Sequence, residues 1–351
     1  MKIFFDVAYL YYLPHFTPVI DELKAQGVTL GVVFHSEPPA AIKAQLSPIA
    51  EIHIINEDDL VSFYFAKKPD WIVFGHATDI AEQLNPHCKT ALILHGLGPK
   101  STYYNASSSL IQYRFVESEY RKQTLQKMFP DKTFIVTGYT KLDPLVNGTS
   151  EVIDLADKGL VPGKKTILYS PTFYPSTIEN FPKDWPEQFA DYNILIKPHY
   201  LSLIKSAYKK QRELFEHWKN YPNVYLASPE EQSLLPFMAT ADLMISETSS
   251  ALFEFMALNK PVIVGHFLKL RVGYWGFLKF RLQKRLSDDY QLFKEIGTNI
   301  NHYRELKVAV ETNLNKPQLF EKQRLQYIEQ IVGTVDGQSS KRVAHFLLSH
   351  T

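Results

Sequence analysis

Short apolar runs, rich in β-branched and aromatic residues, alternate with longer segments of mixed polarity along nearly the whole chain. Residues 3–7 form the first run, 17–25 carry a helical spacing, and 28–34 form the next run after the punctuating Gly27. Further runs follow at 52–55, 71–75, 90–94, 114–116 and 133–136, each too short for a helix. Their apolarity is continuous rather than alternating, which predicts strands buried on both faces, as in a parallel sheet covered by helices on each side. The polar stretch 147–164 then closes on Val161-Pro162-Gly163-Lys164-Lys165, a turn signal directly before a new run at 166–169. Runs at 192–196, 224–226, 243–245 and 261–264 repeat the rhythm, separated by helical stretches at 203–220 and 249–258. A chain of 351 residues exceeds one ordinary core. The expectation is an α/β protein of two Rossmann-like, doubly wound parallel-sheet domains facing a central cleft, divided as 1–160 and 161–351, with the last helix able to pack back on the first domain.

Composition narrows the function classes. Hydrophobic residues make up 45% and charged residues 21%, which excludes a disordered chain. Lys plus Arg (38) balance Asp plus Glu (37), so no overall field favours nucleic acid as a partner, and an anionic ligand must be held locally. The single Cys88 cannot close an intramolecular disulfide, which suits a reducing, cytoplasmic setting. The amino terminus reads as a strand rather than a signal peptide, and no run of about 18 apolar residues predicts a membrane span. Neither a zinc spacing, a Walker motif nor a G-x-G-x-x-G fingerprint is present, so no tightly bound cofactor and no protein-held metal are expected.

Open parallel sheets bind ligands beyond the carboxyl ends of their strands, so the residues just after each run are the informative ones. His95-Gly96-Leu97-Gly98-Pro99-Lys100 puts an imidazole at a strand tip beside two glycines, where it can act as a base or merely cap the sheet edge. Lys197-Pro198-His199 follows the run 192–196 and offers two cationic or titratable groups to a phosphate; strand-end solvation of Lys197 and a backbone hydrogen bond from His199 are the alternatives. The sharpest feature is Ser246-Glu247-Thr248-Ser249-Ser250, a hydroxyl cluster between a strand and a helix, where free N–H groups and the helix dipole attract an anion. Glu254, further along that helix, either meets a ribose hydroxyl or lies on a solvated face. Ser170 and Thr172 follow the run 166–169, while Lys141 and Asp143 either meet a phosphate or form a turn-stabilising pair. Between residues 265 and 285, Lys269, Arg271, Lys279, Arg281, Lys284 and Arg285 interleave with Trp275, Phe277 and Phe280, as in an interfacial amphipathic segment or a buried helix with a wet face.

Six of these stretches, in order, resemble the CDP-glycerol glycerophosphotransferase family of teichoic acid primases and polymerases: His95-Gly96, Gly138 to Asp143, Leu168 to Thr172, Lys197-Pro198-His199, Ser246 to Glu254, and Asp336-Gly337-Gln338-Ser339-Ser340. The resemblance implies a GT-B-type fold, with an acceptor-side first domain and a nucleotide-donor-binding second domain. It also implies a CDP-activated donor and transfer of an alditol phosphate to a hydroxyl of a surface polysaccharide or lipid-linked acceptor, with peripheral contact to an anionic membrane. On that likeness His95 deprotonates the acceptor, His199 lies near the donor diphosphate, and Thr248, Ser249 and Ser250 hold its phosphates. Ser339, Ser340 and Arg342 approach the nucleotide end. Whether a divalent ion accompanies the donor is left open. Gly-Leu-Gly after His95, Lys141 and Glu247-Thr248 stand where the family usually has Gly-Thr-Pro, Arg and Asp-Tyr. A GT-B glycosyltransferase or nucleotide-sugar epimerase of surface-polysaccharide synthesis is the alternative, and a catalytically idle nucleotide-binding protein a third.

Overall fold

The computed structural model describes residues 1–98, 101–231, 233–247, 249–270 and 290–350. Two compact units result: Met1–Gly148 with Glu329–Thr351, and Thr149–Ile328. The sequence places the division at 160/161, and the chain instead divides at 148/149. The intervening residues are tied to the second unit, where the Ile153 N–H donates to Thr240 Oγ1 at 2.8 Å and Leu160 is buried.

The first unit holds seven strands: β1 (Lys2–Val7), β2 (Thr29–Phe34), β3 (Glu51–Ile54), β4 (Trp71–Phe74), β5 (Lys89–Ile93), β6 (Tyr113–Val116) and β7 (Thr133–Val136). They pair in parallel in the order β3-β2-β1-β4-β5-β6-β7. All four residues of β4 are buried, as continuous apolarity requires of a central strand. Helix Leu13–Ala25 begins with a proline in its first turn, where the missing N–H costs nothing, and buries Phe16, Val19, Ile20 and Leu23 at helical spacing. It packs with the carboxyl-terminal helix Ser339–Ser349, whose Val343, Ala344 and Leu347 join Phe5, Phe16 and Trp71 in one core cluster. Each such large apolar side chain stabilises the unit by roughly 1.5–3 kcal/mol on burial.

In the second unit β8 (Thr166–Tyr169), β9 (Asn193–Ile196), β10 (Val224–Leu226), β11 (Leu243–Ser246), β12 (Val262–Gly265) and β13 (Thr298–Ile300) pair in parallel as β10-β9-β8-β11-β12-β13. Ile167, Tyr169, Trp185, Ile194, Trp218 and Ile245 form its core. The edge strand β13 is absent from the sequence reading because Thr298-Asn299-Ile300 is short and half polar. The stretch 203–220, expected as one helix, breaks at Lys205, whose extended backbone separates helix Tyr200–Ile204 from helix Lys209–Trp218. Among the described residues no helix is long and apolar enough to cross a membrane.

Candidate active site

In both sheets the chain crosses in opposite directions on either side of the first strand, which opens a crevice between the loops after β1 and β4 and between those after β8 and β11. The residues flanking these two switch points define the candidate site.

In the first unit the lips of the crevice are the segment from Ala8 to Tyr12 and the pair Gly75-His76, with His95 two residues beyond β5. His95 Nδ1 lies 3.0 Å from the Gly75 carbonyl oxygen. A carbonyl only accepts, so Nδ1 carries the proton and the neutral ring keeps its lone pair on Nε2, the tautomer of a general base. Tyr11 and Tyr12 stand with ring centroids 4.9 Å from the imidazole. Gly75 permits this approach, since a Cβ there would lie 2.5 Å from the Tyr12 ring. His15, beneath the loop, is pushed well below the usual histidine value by burial first, then by the neighbouring Lys141 and His95, and is neutral. Burial likewise lowers His76. Asp6, only 1% exposed, accepts from Tyr64 Oη at 2.7 Å and pairs with His35 Nε2 at 3.0 Å. Burial pulls His35 down, but the hydrogen bond and charge of Asp6, with Glu57, outweigh it and raise it.

The Gly138–Asp143 and Asp336–Ser340 motifs come together in this same unit. Gly138, at φ +89°, lies so close to the carboxyl-terminal helix that a Cβ would meet Ser339 Oγ at 2.3 Å. Asp143 does not orient Lys141 in a local pair of the turn-stabilising kind. Its carboxylate accepts from the N–H groups of Ser339 (3.3 Å) and Ser340 (2.6 Å), capping a helix nearly two hundred residues away in sequence. Ser339 and Ser340 are each 2% exposed, and Arg342 donates to the Thr137 carbonyl at 3.0 Å and pairs with Asp336. The contacts of these three residues seat the helix on the unit, whereas the sequence assigns them to the nucleotide end of the site.

In the second unit the crevice is lined by the loop after β8 and the start of helix Ser250–Met256. Ser246 is fully buried and its Oγ donates to the Ser170 carbonyl at 2.5 Å. Glu247, 1% exposed, accepts from Thr172 N (2.7 Å), Ser176 Oγ (3.1 Å), Thr177 N (2.8 Å) and Thr177 Oγ1 (2.5 Å). Burial pushes its carboxyl up against the pull of those four bonds. Both side chains, expected to face the donor, are committed to holding the 170–177 loop. Thr172 Oγ1 closes that loop on the Pro175 carbonyl at 2.7 Å. Ser249 caps the helix by accepting from Ala251 N at 3.3 Å, and Ser250 is half-buried at its first position. Thr248, like Lys100 and residues 271–285, lies outside the described residues. Glu254 is 3% exposed, which removes the solvated-face alternative.

Lys197 ends β9 half-buried, its ammonium 5.9 Å from the Phe237 ring centroid. His199 is exposed, lies tilted against the Phe173 ring with centroids at 4.8 Å and caps helix Tyr200–Ile204 through Nδ1, which accepts from Leu201 N at 3.1 Å. Its neutral ring therefore carries the proton on Nε2, opposite to His95, and presents a donor rather than a base.

Sequence reasoning missed Tyr9 to Tyr12, Asp6, His35 and His76 on one sheet, and Ser176 and Thr177 on the other. A signal for the first set exists: β2 is followed directly by His35, and β4 by Gly75-His76, just as β5 is followed by Leu94-His95. Histidines that follow strands of one parallel sheet lie at the same end of it, and those after β2, β4 and β5 flank the switch point between β1 and β4.

Residues 49–349 match the family described as CDP-Glycerol:Poly(glycerophosphate) glycerophosphotransferase. The teichoic acid glycerol-phosphate primase of Bacillus spizizenii is 29% identical over 153 residues, 42% of this chain and 38% of that protein. That of Bacillus subtilis is 27% identical over 207 residues, 57% of this chain and 52% of that protein. The chain thus spans about half or less of these relatives. The wall teichoic acid polymerase TagF superposes with a TM-score of 0.69 at 15% identity, covering 99% of this chain and 88% of that one. The UDP-GlcNAc 2-epimerase from Neisseria meningitidis superposes with a TM-score of 0.65 at 17% identity over 100% of both. These structures share the GT-B-like fold of paired parallel sheets. Since the family match takes in the whole second unit and most of the first, the chain belongs to the CDP-glycerol:poly(glycerophosphate) glycerophosphotransferase family.

Proposed function

We propose that the chain transfers glycerol phosphate, or another alditol phosphate, from a CDP-activated donor to a hydroxyl of a surface-polysaccharide or lipid-linked acceptor. The observation that supports this is the pair of strand-tip histidines with opposite ring polarity: His95 Nδ1 donates to the Gly75 carbonyl, which leaves the basic position to Nε2, and His199 Nδ1 accepts from Leu201 N, which puts its ring proton on Nε2. In the reaction the acceptor hydroxyl oxygen forms a bond to the alditol-bearing phosphorus, the P–O bond of the diphosphate breaks, and CMP leaves. His95 takes the acceptor proton. His199 and Lys197 donate hydrogen bonds to the donor diphosphate, joined by the hydroxyls of Ser249 and Ser250 and by Thr248. Such a step needs donors placed around spreading negative charge more than it needs a covalent nucleophile. Glu247, Ser246, Ser170 and Thr172 serve by keeping the loop in shape. The Bacillus primases and TagF support a role in teichoic acid or related envelope-polymer assembly. A cytidine nucleotide donor sets the reaction on the cytoplasmic side, and the basic-aromatic stretch 265–285 is the proposed contact with anionic lipid.

The test begins with thermal melts in CDP, CMP, UDP, GDP and ADP, because a ligand bound by the native state raises the midpoint. Selective stabilisation by cytidine nucleotides, followed by CMP release from CDP-glycerol, is expected. The His95→Ala variant should lose roughly 10²–10⁴-fold in turnover while still binding CDP. Stabilisation by uridine nucleotides with release of a nucleoside diphosphate would reassign the chain to a sugar transferase or epimerase.

A further inference from the structure

Two tyrosines stand exposed at the mouth of the first unit's switch point. Tyr9 is 57% and Tyr11 51% exposed, yet neither is loosely held. Tyr12, 1% exposed, donates its N–H to the Tyr9 carbonyl at 3.0 Å and closes a single helical turn, and helix Leu13–Ala25 follows at once. The Tyr9 and Tyr11 rings lie nearly parallel, 8° apart with centroids at 5.3 Å. Both meet the Tyr12 ring edge-on, at 89° and 85°. Tyr11 also stands edge-on to the His95 imidazole at 4.9 Å.

An ordered pair of apolar rings left open to solvent marks a binding surface. We propose that Tyr9 and Tyr11 form a stacking subsite for a pyranose ring of the acceptor and so present a sugar hydroxyl to His95. The proposal rests on the reading of His95 as the group that receives the acceptor proton. A pyranose turns a face of weakly positive C–H bonds outward, which suits the negative face of a phenol, and the Tyr11 hydroxyl, which accepts a hydrogen bond from Tyr12, still has its own O–H to donate to the rim of the sugar. The charge of the segment favours this over an anionic acceptor end. Residues 8–13 read Ala-Tyr-Leu-Tyr-Tyr-Leu and carry no ionised group at neutral pH, whereas a terminal phosphate calls for arginine or lysine. The neighbouring His15 and His76 are held towards the neutral form by burial, and Asp6 is already paired with His35.

The test is saturation-transfer NMR on the full chain with the methyl glycosides of glucose, mannose and their 2-acetamido derivatives, beside glycerol 3-phosphate, CMP and anionic vesicles. Ring C–H protons of at least one glycoside should receive saturation in the wild type and lose most of it in Tyr9→Ala and Tyr11→Ala, with Tyr9→Phe and Tyr11→Phe retaining it and melting temperatures unchanged. In turnover with CDP-glycerol, the alanine variants should raise the acceptor KM about ten-fold, near 1.4 kcal/mol, with kcat little changed. Saturation of no glycoside, or equal saturation in the alanine variants, overturns the subsite. Loss of CMP or vesicle binding instead, in those same variants, overturns it in favour of a base-stacking or membrane-contacting role. Tyrosine-dependent glycoside binding without CDP-glycerol turnover refutes the proposed function and leaves the subsite standing; turnover indifferent to both tyrosines does the reverse.

Discussion

Replacing Glu247 separates a residue that holds the loop from one that holds the ligand. In Glu247→Ala the N–H groups of Thr172 and Thr177, now bonded to the carboxylate at 2.7 and 2.8 Å, lose their acceptor, Thr177 in a fully buried setting and Thr172 in a half-buried one. Each orphaned donor costs about 1–3 kcal/mol, so the variant should lose roughly 4 kcal/mol, while the Ser176 and Thr177 hydroxyls can turn to other partners. For a unit of this size that lowers the melting temperature by roughly 8–16 °C. Glu247→Gln keeps an oxygen for the three bonds made to Oε1 but sets an amide NH₂ against the Thr172 N–H, so it should lose about half as much. Differential scanning calorimetry reads both, with CDP titrated into each variant below its melting range. A variant that melts like the wild type but no longer binds CDP would refute the reasoning and return Glu247 to direct donor contact.

The ion pair of His35 with buried Asp6 predicts a pH dependence. Its folded value is raised, so its contribution is complete below the unfolded value of about 6.5 and disappears as pH rises through the folded one. His35→Asn should therefore lower the melting temperature more at pH 6 than at pH 9, and an equal loss at both would contradict the pairing. Asp143→Ala should cost roughly 1–3 kcal/mol and speed amide exchange at Ser340, whereas Asp143→Asn, which keeps one acceptor, should cost less. Gly333→Ala should cost more than about 3 kcal/mol, because at φ +81° its Cβ would lie 1.8 Å from the Glu117 carbonyl oxygen. Gly27→Ala, at φ +74° with open space around it, should cost only the left-handed strain of about 1–2 kcal/mol. Chemical denaturation of both glycine variants checks the difference.

The strands were legible because a central parallel strand is buried on both faces and carries a continuous apolar run, residues 3–5 in β1, 71–74 in β4, 167–169 in β8 and 243–245 in β11, which announces itself without any partner being known. β13 was not, since an edge strand needs less apolar surface. His95 and His199 were found by position, as residues following strands, and their tautomers were not, because a tautomer depends on Gly75 and Leu201, contacts that spacing does not reveal. Ser246 and Glu247 show the opposite failure. A polar residue after a strand looks the same in sequence whether it faces a ligand or turns inward to Ser170 and Thr177. Only burial distinguishes the two.

That distinction alters where specificity resides in such a site. If the acidic and hydroxyl residues nearest β11 serve the loop, then discrimination of the donor falls to the groups still turned outward: the His199 ring, the half-buried Lys197 and the first-turn Ser250. On the first unit, the same logic leaves the half-buried His95 and the exposed Tyr9 and Tyr11, since His15 and Asp6 are buried. Interior substitutions should therefore move stability with little change in which substrate is chosen, and substitutions at these few outward groups should do the reverse. The drift of Glu247 from the residue usual at its position then carries no information about the transferred group, because the buried carboxylate does not belong to that outward set.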